Sequence, residues 1–126
     1  MFNSLNRSSN SVLVVDDNGI NRLLPGLILR PFGWDVYEVE GGLSALEFLK
    51  TKSISCLLLD ISMPDISGLV VLDSLRSNKK FHNLKVVAYT AYASNEDVER
   101  LISIGFDAVL IKPLTSLKLL NVLKSS

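Results

Sequence analysis

With 126 residues, 48% of them hydrophobic and 21% charged, the chain is long enough for one domain with a real core and short for two. Thirteen basic and thirteen acidic residues cancel, which removes the charge signature of a nucleic-acid or acidic-membrane partner. A single cysteine, Cys56, excludes an internal disulfide, and no apolar run approaches the ~20 residues of a bilayer span.

These totals lead to the expectation of a soluble, cytoplasmic protein with no membrane or nucleic-acid contact. Residues 1–10, rich in Asn and Ser, are expected to form a loose leader ahead of one domain over 11–126. From Ser11 onward short apolar runs alternate with stretches of helical period, the pattern of a parallel sheet between helical layers. Strands are predicted at 12–15, 35–39, 54–59, 85–88 and 108–111.

The first helix keeps helical spacing through Ile20, Leu23, Leu24, Leu27 and Ile28, but Pro25 sits inside it and predicts a kink or a late start. Asp17 or Asn18 is placed to cap it. Leu43, Leu46 and Leu49 are the expected inward face of the second helix, and Leu69, Leu72 and Leu75 that of the third. In the fourth, Ser94 and Asp97 form a capping-box pattern, Val98, Leu101 and Ile102 a buried stripe, and Gly105 a left-handed close. Thr115 is the expected cap of the fifth, with Leu117, Leu120 and Leu123 inward and Leu119 and Val122 partly off that stripe. The alternation predicts a three-layer α/β fold, a doubly wound (βα)5 parallel sheet of flavodoxin-like strand order 2-1-3-4-5.

Such sheets place their ligands beyond the carboxyl ends of the strands. There the first strand ends in Asp16 and Asp17, the third in Asp60, the fourth leads to Thr90 and the fifth delivers Lys112. Any one of these has an ordinary explanation as a cap, a turn or a solvated charge; their succession at strand ends points to a site. Two carboxylates 4 Å apart repel by roughly 4 kcal/mol at an effective dielectric of 20, so a cation is expected among them. Oxygen donors without His or Cys suit a hard divalent ion such as Mg²⁺. Lys112 adds a fixed positive charge, and Thr90 can donate to a tetrahedral anion.

The motifs "VLVVDDN" (12–18), "LLLDISMPDISG" (57–68), "VVAYTAYA" (86–93) and "IKP" (111–113) together resemble the receiver domain of two-component response regulators over nearly the whole chain after residue 10. The resemblance implies that Asp60 accepts a phosphoryl group from a phosphohistidine on a histidine kinase or histidine phosphotransfer protein, as a signalling module and not a dedicated enzyme. It implies Mg²⁺ (or Mn²⁺) bound by Asp17, Asp60 and the backbone carbonyl of Ser62, with Asp16 acting through water. Thr90 and Lys112 would contact the phosphoryl oxygens, and the Lys112-Pro113 bond would be cis. Pro64 and Gly68 turn the chain sharply after Asp60.

The resemblance further implies kinase docking on the first helix, with Ile20, Leu24 and Pro25 as contacts. Output would pass through the face of the fourth helix, fifth strand and fifth helix, where a second copy or an effector binds. Both a stand-alone receiver and a receiver from a hybrid kinase fit this pattern. One position departs from it: Val109 stands three residues before the lysine, where the family carries Tyr or Phe, and a valine has no ring to swing. Tyr89 and Tyr92 flank Thr90 as the candidate substitutes, and bulky Tyr92 is also placed to shield a phosphoryl group from water. His82 reads as a surface residue.

Two other functions compete. A degenerate receiver acting as a constitutive interaction module would fit Val109, but not the intact Asp17, Asp60, Thr90 and Lys112. A phosphohydrolase with an aspartyl-phosphate intermediate would want an acid where Ser62 stands; a P-loop nucleotide enzyme is disfavoured because no GxxxxGK(S/T) follows the first strand.

Overall fold

The computed structural model describes residues 10–91 and 93–124, and its chain alternates strands with helices throughout. The elements are β1 (Ser11–Val15), α1 (Gly19–Leu29), β2 (Asp35–Val39), α2 (Gly42–Thr51), β3 (Cys56–Leu59), α3 (Gly68–Arg76), β4 (Lys85–Thr90), α4 (Asn95–Ser103), β5 (Ala108–Ile111) and α5 (Ser116–Lys124). The strands form one parallel sheet in the order β2-β1-β3-β4-β5, as expected for a flavodoxin-like fold. The predicted leader lies outside the described residues except for Asn10.

Side chains alternate across a strand, so each strand feeds two cores. Leu13, Val15, Leu57, Leu59, Val86 and Ala88 face the layer of α2, α3 and α4 with Leu49, Val71, Leu72, Leu75 and Leu101. Val12, Val14, Leu58, Val87, Tyr89 and Leu110 face the layer of α1 and α5 with Leu29 and Leu119. This two-sided burial is what makes the strands read as continuous apolar runs.

β3 starts later than predicted, at Cys56. Before it, Ser11 and Ser55 join through their hydroxyls: the Ser11 N–H donates to Ser55 Oγ at 3.0 Å and Ser55 Oγ donates to the Ser11 carbonyl at 2.7 Å. Side chains thus take over part of the ladder's bonding at that end. β4 runs further than predicted, to Thr90.

Several helix faces are rotated from the expected ones. α2 buries Gly42, Ala45 and Leu49 and turns Leu43 outward, 55% exposed. A Cβ on Gly42 would lie 2.6 Å from Ile66 and 2.7 Å from Val71, so α2 meets the next unit along its small-residue edge. α3 buries Val71, Leu72 and Leu75 and exposes Leu69, while α4 buries Leu101 and exposes Ile102. In α5 the correction is larger: Leu119 is fully buried, and Leu120, Val122 and Leu123 pack beside it, whereas Leu117 is 71% exposed. Thr115 caps this helix as predicted, its Oγ1 accepting from the Lys118 N–H, and four apolar positions from 119 to 123 then form one seam.

α1 passes through Pro25 without a break and buries Pro25, Gly26 and Leu29. Its predicted contact residues are therefore reassigned: Pro25 is core, Leu24 is half-buried, and Ile20, Leu23 and Leu27 form the exposed apolar stripe. The capping box of Ser94 and Asp97 is present, and Gly105 has the positive φ, 127°, that its position after α4 requires. Cys56 is a small core residue whose burial pushes the thiol up to about 12. His82 is exposed beside the 3-10 turn Lys79–Phe81, in line with its reading as a surface residue.

Candidate functional site

The alternation that builds the α1/α5 core continues past the strand ends. Asp16 follows Val12 and Val14, Asp60 follows Cys56 and Leu58, and Lys112 follows Ala108 and Leu110, so all three side chains emerge on one side of the sheet edge. Carboxylate oxygens of Asp16, Asp17 and Asp60 lie within 4.8 Å of one another. Lys112 Nζ reaches 2.7 Å from Asp16 Oδ2 and 3.7 Å from Asp60 Oδ1.

Asp16 is fully buried and its two oxygens differ. Oδ1 accepts from the Asn18 N–H at 2.9 Å, while Oδ2 is engaged by the Lys112 ammonium. Asn18, not Asp17, caps α1, its Oδ1 accepting from the N–H groups of Ile20 and Asn21 at 3.0 Å. Asp17 is thereby left exposed at the mouth of the cluster. Arg22 donates to the Asp16 carbonyl at 2.9 Å and pairs with Glu38, which ties this loop to β2.

Asp60 is 6% exposed, and its carboxyl is pushed up to about 6. Burial is the main cause; Lys112 pulls the other way, and Asp16 and Asp17 add repulsion. Its main chain is held on both sides: the Asp60 N–H donates to the Val15 carbonyl at 2.9 Å, and the loop after it folds back so that the Gly68 N–H donates to the Ile61 carbonyl at 2.9 Å. A Cβ on Gly68 would lie 2.4 Å from the Asp60 carbonyl oxygen, so only glycine permits this close return. The Ser62 N–H approaches Asp60 Oδ1 at 3.4 Å.

Sequence reasoning passed over Asp65, in the middle of that loop. Its carboxylate accepts from the N–H groups of Gly42 at 3.3 Å and Leu43 at 3.0 Å and so caps α2 from outside the helix. These bonds, the one from Leu43 foremost, hold the Asp65 carboxyl below its usual range. The signal was present in α2 itself, which opens on two glycines with no side-chain cap of its own. A Cβ on Gly41 would lie 2.6 Å from Asp65 Oδ2.

Thr90 ends β4 beside the cluster, its carbonyl accepting from the Lys112 N–H at 2.8 Å, and the Lys112-Pro113 peptide is cis. Val109 pairs with Ala88 and packs on the α2/α3/α4 layer, whereas Tyr89 pairs with Leu110 and lies in the opposite layer. Tyr89 is therefore on the wrong face to replace a ring at position 109. Tyr92 lies outside the described residues.

Residues 12–124 match the family model described as response regulator receiver domain. The chain belongs to the response regulator receiver domain family. Among curated relatives, the polar-differentiation response regulator DivK of Brucella ovis is 30% identical over 115 residues, covering 91% of this chain and 94% of that protein. Among solved structures, the CheY-like receiver domain from Methylobacillus flagellatus is 26% identical at a TM-score of 0.81, covering 92% of this chain and 97% of the other. A CheY-like receiver domain protein from Methanospirillum hungatei JF-1 is also 26% identical, at a TM-score of 0.78 with 89% and 88% covered. This receiver domain has, among its described residues, no helix long and apolar enough to cross a membrane.

Proposed function

We propose that this receiver domain is a phosphorylation-switched module of a two-component or phosphorelay system, with Asp60 as its phosphoacceptor. The observation that carries this reading is the convergence of Asp16, Asp17 and Asp60 within 4.8 Å beside a lysine that reaches two of them. In the reaction, an Asp60 carboxylate oxygen forms a bond to the phosphorus of a phosphohistidine. The N–P bond breaks, and its electron pair leaves on the donor's imidazole nitrogen. Lys112 stands where it can shift from Asp16 toward the added negative charge, and Thr90 offers its hydroxyl to a phosphoryl oxygen.

The donor set fits a divalent cation: it is all oxygen, and three carboxylates crowd like charge within 4.8 Å. Asp17, Asp60 and the Ser62 carbonyl would hold Mg²⁺ directly, with Asp16 acting through water, and Mn²⁺ would serve the same ligands. When bound, the ion neutralises charge on the carboxylates and on the phosphoryl oxygens. The rigid frame around Asp60 keeps the acceptor oxygen in place for an incoming donor.

Partners follow from exposed apolar surface. The stripe of Ile20 (70% exposed), Leu23 and Leu27 on α1 borders the acidic cluster and suits the helical bundle of a histidine kinase or a histidine phosphotransfer protein. Ile102 on α4 and Leu117 on α5 are apolar positions open to a second copy or an effector on the output face; buried Leu119 is not.

The test is direct. Incubation with Mg²⁺ and acetyl phosphate should add one phosphoryl mass to the wild type and none to Asp60→Ala. No gain in the wild type would favour a constitutive interaction module instead.

A further inference from the structure

Tyr89 is an aromatic at the site whose surroundings the receiver reading does not use. It is fully buried at the end of β4, and Lys112 Nζ lies over its ring, 4.7 Å from the centroid. Its hydroxyl donates to the main-chain carbonyl of Asn21 in α1 at 3.1 Å. That carbonyl is special: its helical donor would be the N–H of residue 25, and residue 25 is proline. Pro25 thus frees an acceptor inside α1, and the phenol of Tyr89 fills it.

Both ends of the tyrosine are consequently fixed. The hydroxyl end is held by α1, and the ring forms the floor on which the Lys112 ammonium rests, facing Asp16 and Asp60. A flexible lysine stem loses substantial freedom when its head is held in one place, and a buried ring face below the head favours that place. We infer that Tyr89 is a positioning residue for Lys112 through its ring face, while its hydroxyl separately satisfies the Asn21 carbonyl that Pro25 leaves free. It acts by keeping the ammonium above its ring and within reach of the acceptor.

This rests on the receiver reading, and the test separates the two. The first measurement needs no phosphorylation: in NMR spectra of the wild type, the Lys112 methylene signals nearest the ammonium, assigned by their loss in Lys112→Arg, should be shifted upfield by the ring current. They should keep that shift in Tyr89→Phe and lose it in Tyr89→Met, a substitution that keeps apolar bulk without a ring. The second measurement is the rate of phosphorylation by acetyl phosphate with Mg²⁺. Tyr89→Met should be about tenfold slower, within the range of a desolvated cation–π contact, and Tyr89→Phe should stay within about threefold of wild type. Amide spectra report whether each variant is folded, and Tyr89→Leu stands in if Met disturbs the core.

Unshifted Lys112 signals in the wild type would overturn the inference by themselves. So would a folded Tyr89→Met that phosphorylates at the wild-type rate. A wild type that shows the upfield signals but takes up no phosphoryl group would instead sink the phosphoacceptor reading and leave the Tyr89–Lys112 contact standing.

Discussion

Replacing Asp60 with asparagine should make the metal-free protein more stable, and only above the pH where Asp60 ionises. The folded carboxyl is raised from 3.8 to about 6, a rise worth about 3 kcal/mol against the ionised form at most. Charge geometry gives the same sign: an attraction to Lys112 at 3.7 Å is worth about 4.5 kcal/mol at an effective dielectric of 20. Two repulsions at 4.8 Å or less, from Asp16 and Asp17, cost about 3.5 kcal/mol or more each on the same scale, and burial adds to them. Because the folded pKa lies above the unfolded one, the wild type loses stability as pH rises from about 4 to about 6 and no more beyond. A side-chain amide at this position does not ionise and carries no such penalty. With EDTA present, Asp60→Asn should melt about 8–15 °C above wild type at pH 7.5 and close to it at pH 4, measured by calorimetry. An equal gain at both pH values, or no gain at pH 7.5, would refute the account of a strained acidic cluster.

The same cluster predicts that Mg²⁺ raises the unfolding stability of the wild type, by about 2.7 kcal/mol at a hundredfold excess over its dissociation constant, and that of Asp17→Asn much less. Gly68→Ala should cost about 1–3 kcal/mol by denaturant unfolding and slow acetyl-phosphate labelling, because the added methyl meets the Asp60 carbonyl. Asp65→Ala should cost about 1 kcal/mol in the same assay, the worth of a helix cap. Since its carboxyl is held low in the fold, that cost should be full above the usual carboxylate range and vanish in stronger acid. Tyr89→Phe orphans the Asn21 carbonyl, so adding Pro25→Ala, which restores a helical N–H, should recover part of the lost stability; a strictly additive double mutant would contradict the pairing.

Element types and order were legible because both sheet faces are covered, which leaves each strand a short apolar run flanked by helical period. The acidic pair, Asp60, Thr90 and Lys112 were legible because each stands directly after such a run or at its end. Helix rotation was not. Leu43, Leu69, Ile102 and Leu117 fall on plausible inward stripes, but small residues such as Gly42 and Ala45 determine how closely a helix approaches, and a hydrophobic pattern undervalues them. Asp65 was missed for a related reason: its partners lie 22 and 23 positions away, and only the uncapped Gly41-Gly42 start hinted that a cap must come from elsewhere.

Pro25 shows how a local violation becomes informative when it is paired with its remedy. Read along the chain, it is a helix residue that deletes a hydrogen bond at a cost of ~3 kcal/mol. Read across the sheet, strand parity puts Tyr89 on the α1 side with Asp16 and Lys112, and its hydroxyl meets the carbonyl that the proline frees. A buried tyrosine needs a partner for its hydroxyl, and a helical carbonyl is engaged elsewhere unless its usual donor is missing. The defect in α1, the aromatic at the end of β4 and the lysine beyond β5 thus answer one another: the phenol fills the carbonyl the proline frees, and its ring holds a charge beside Asp60.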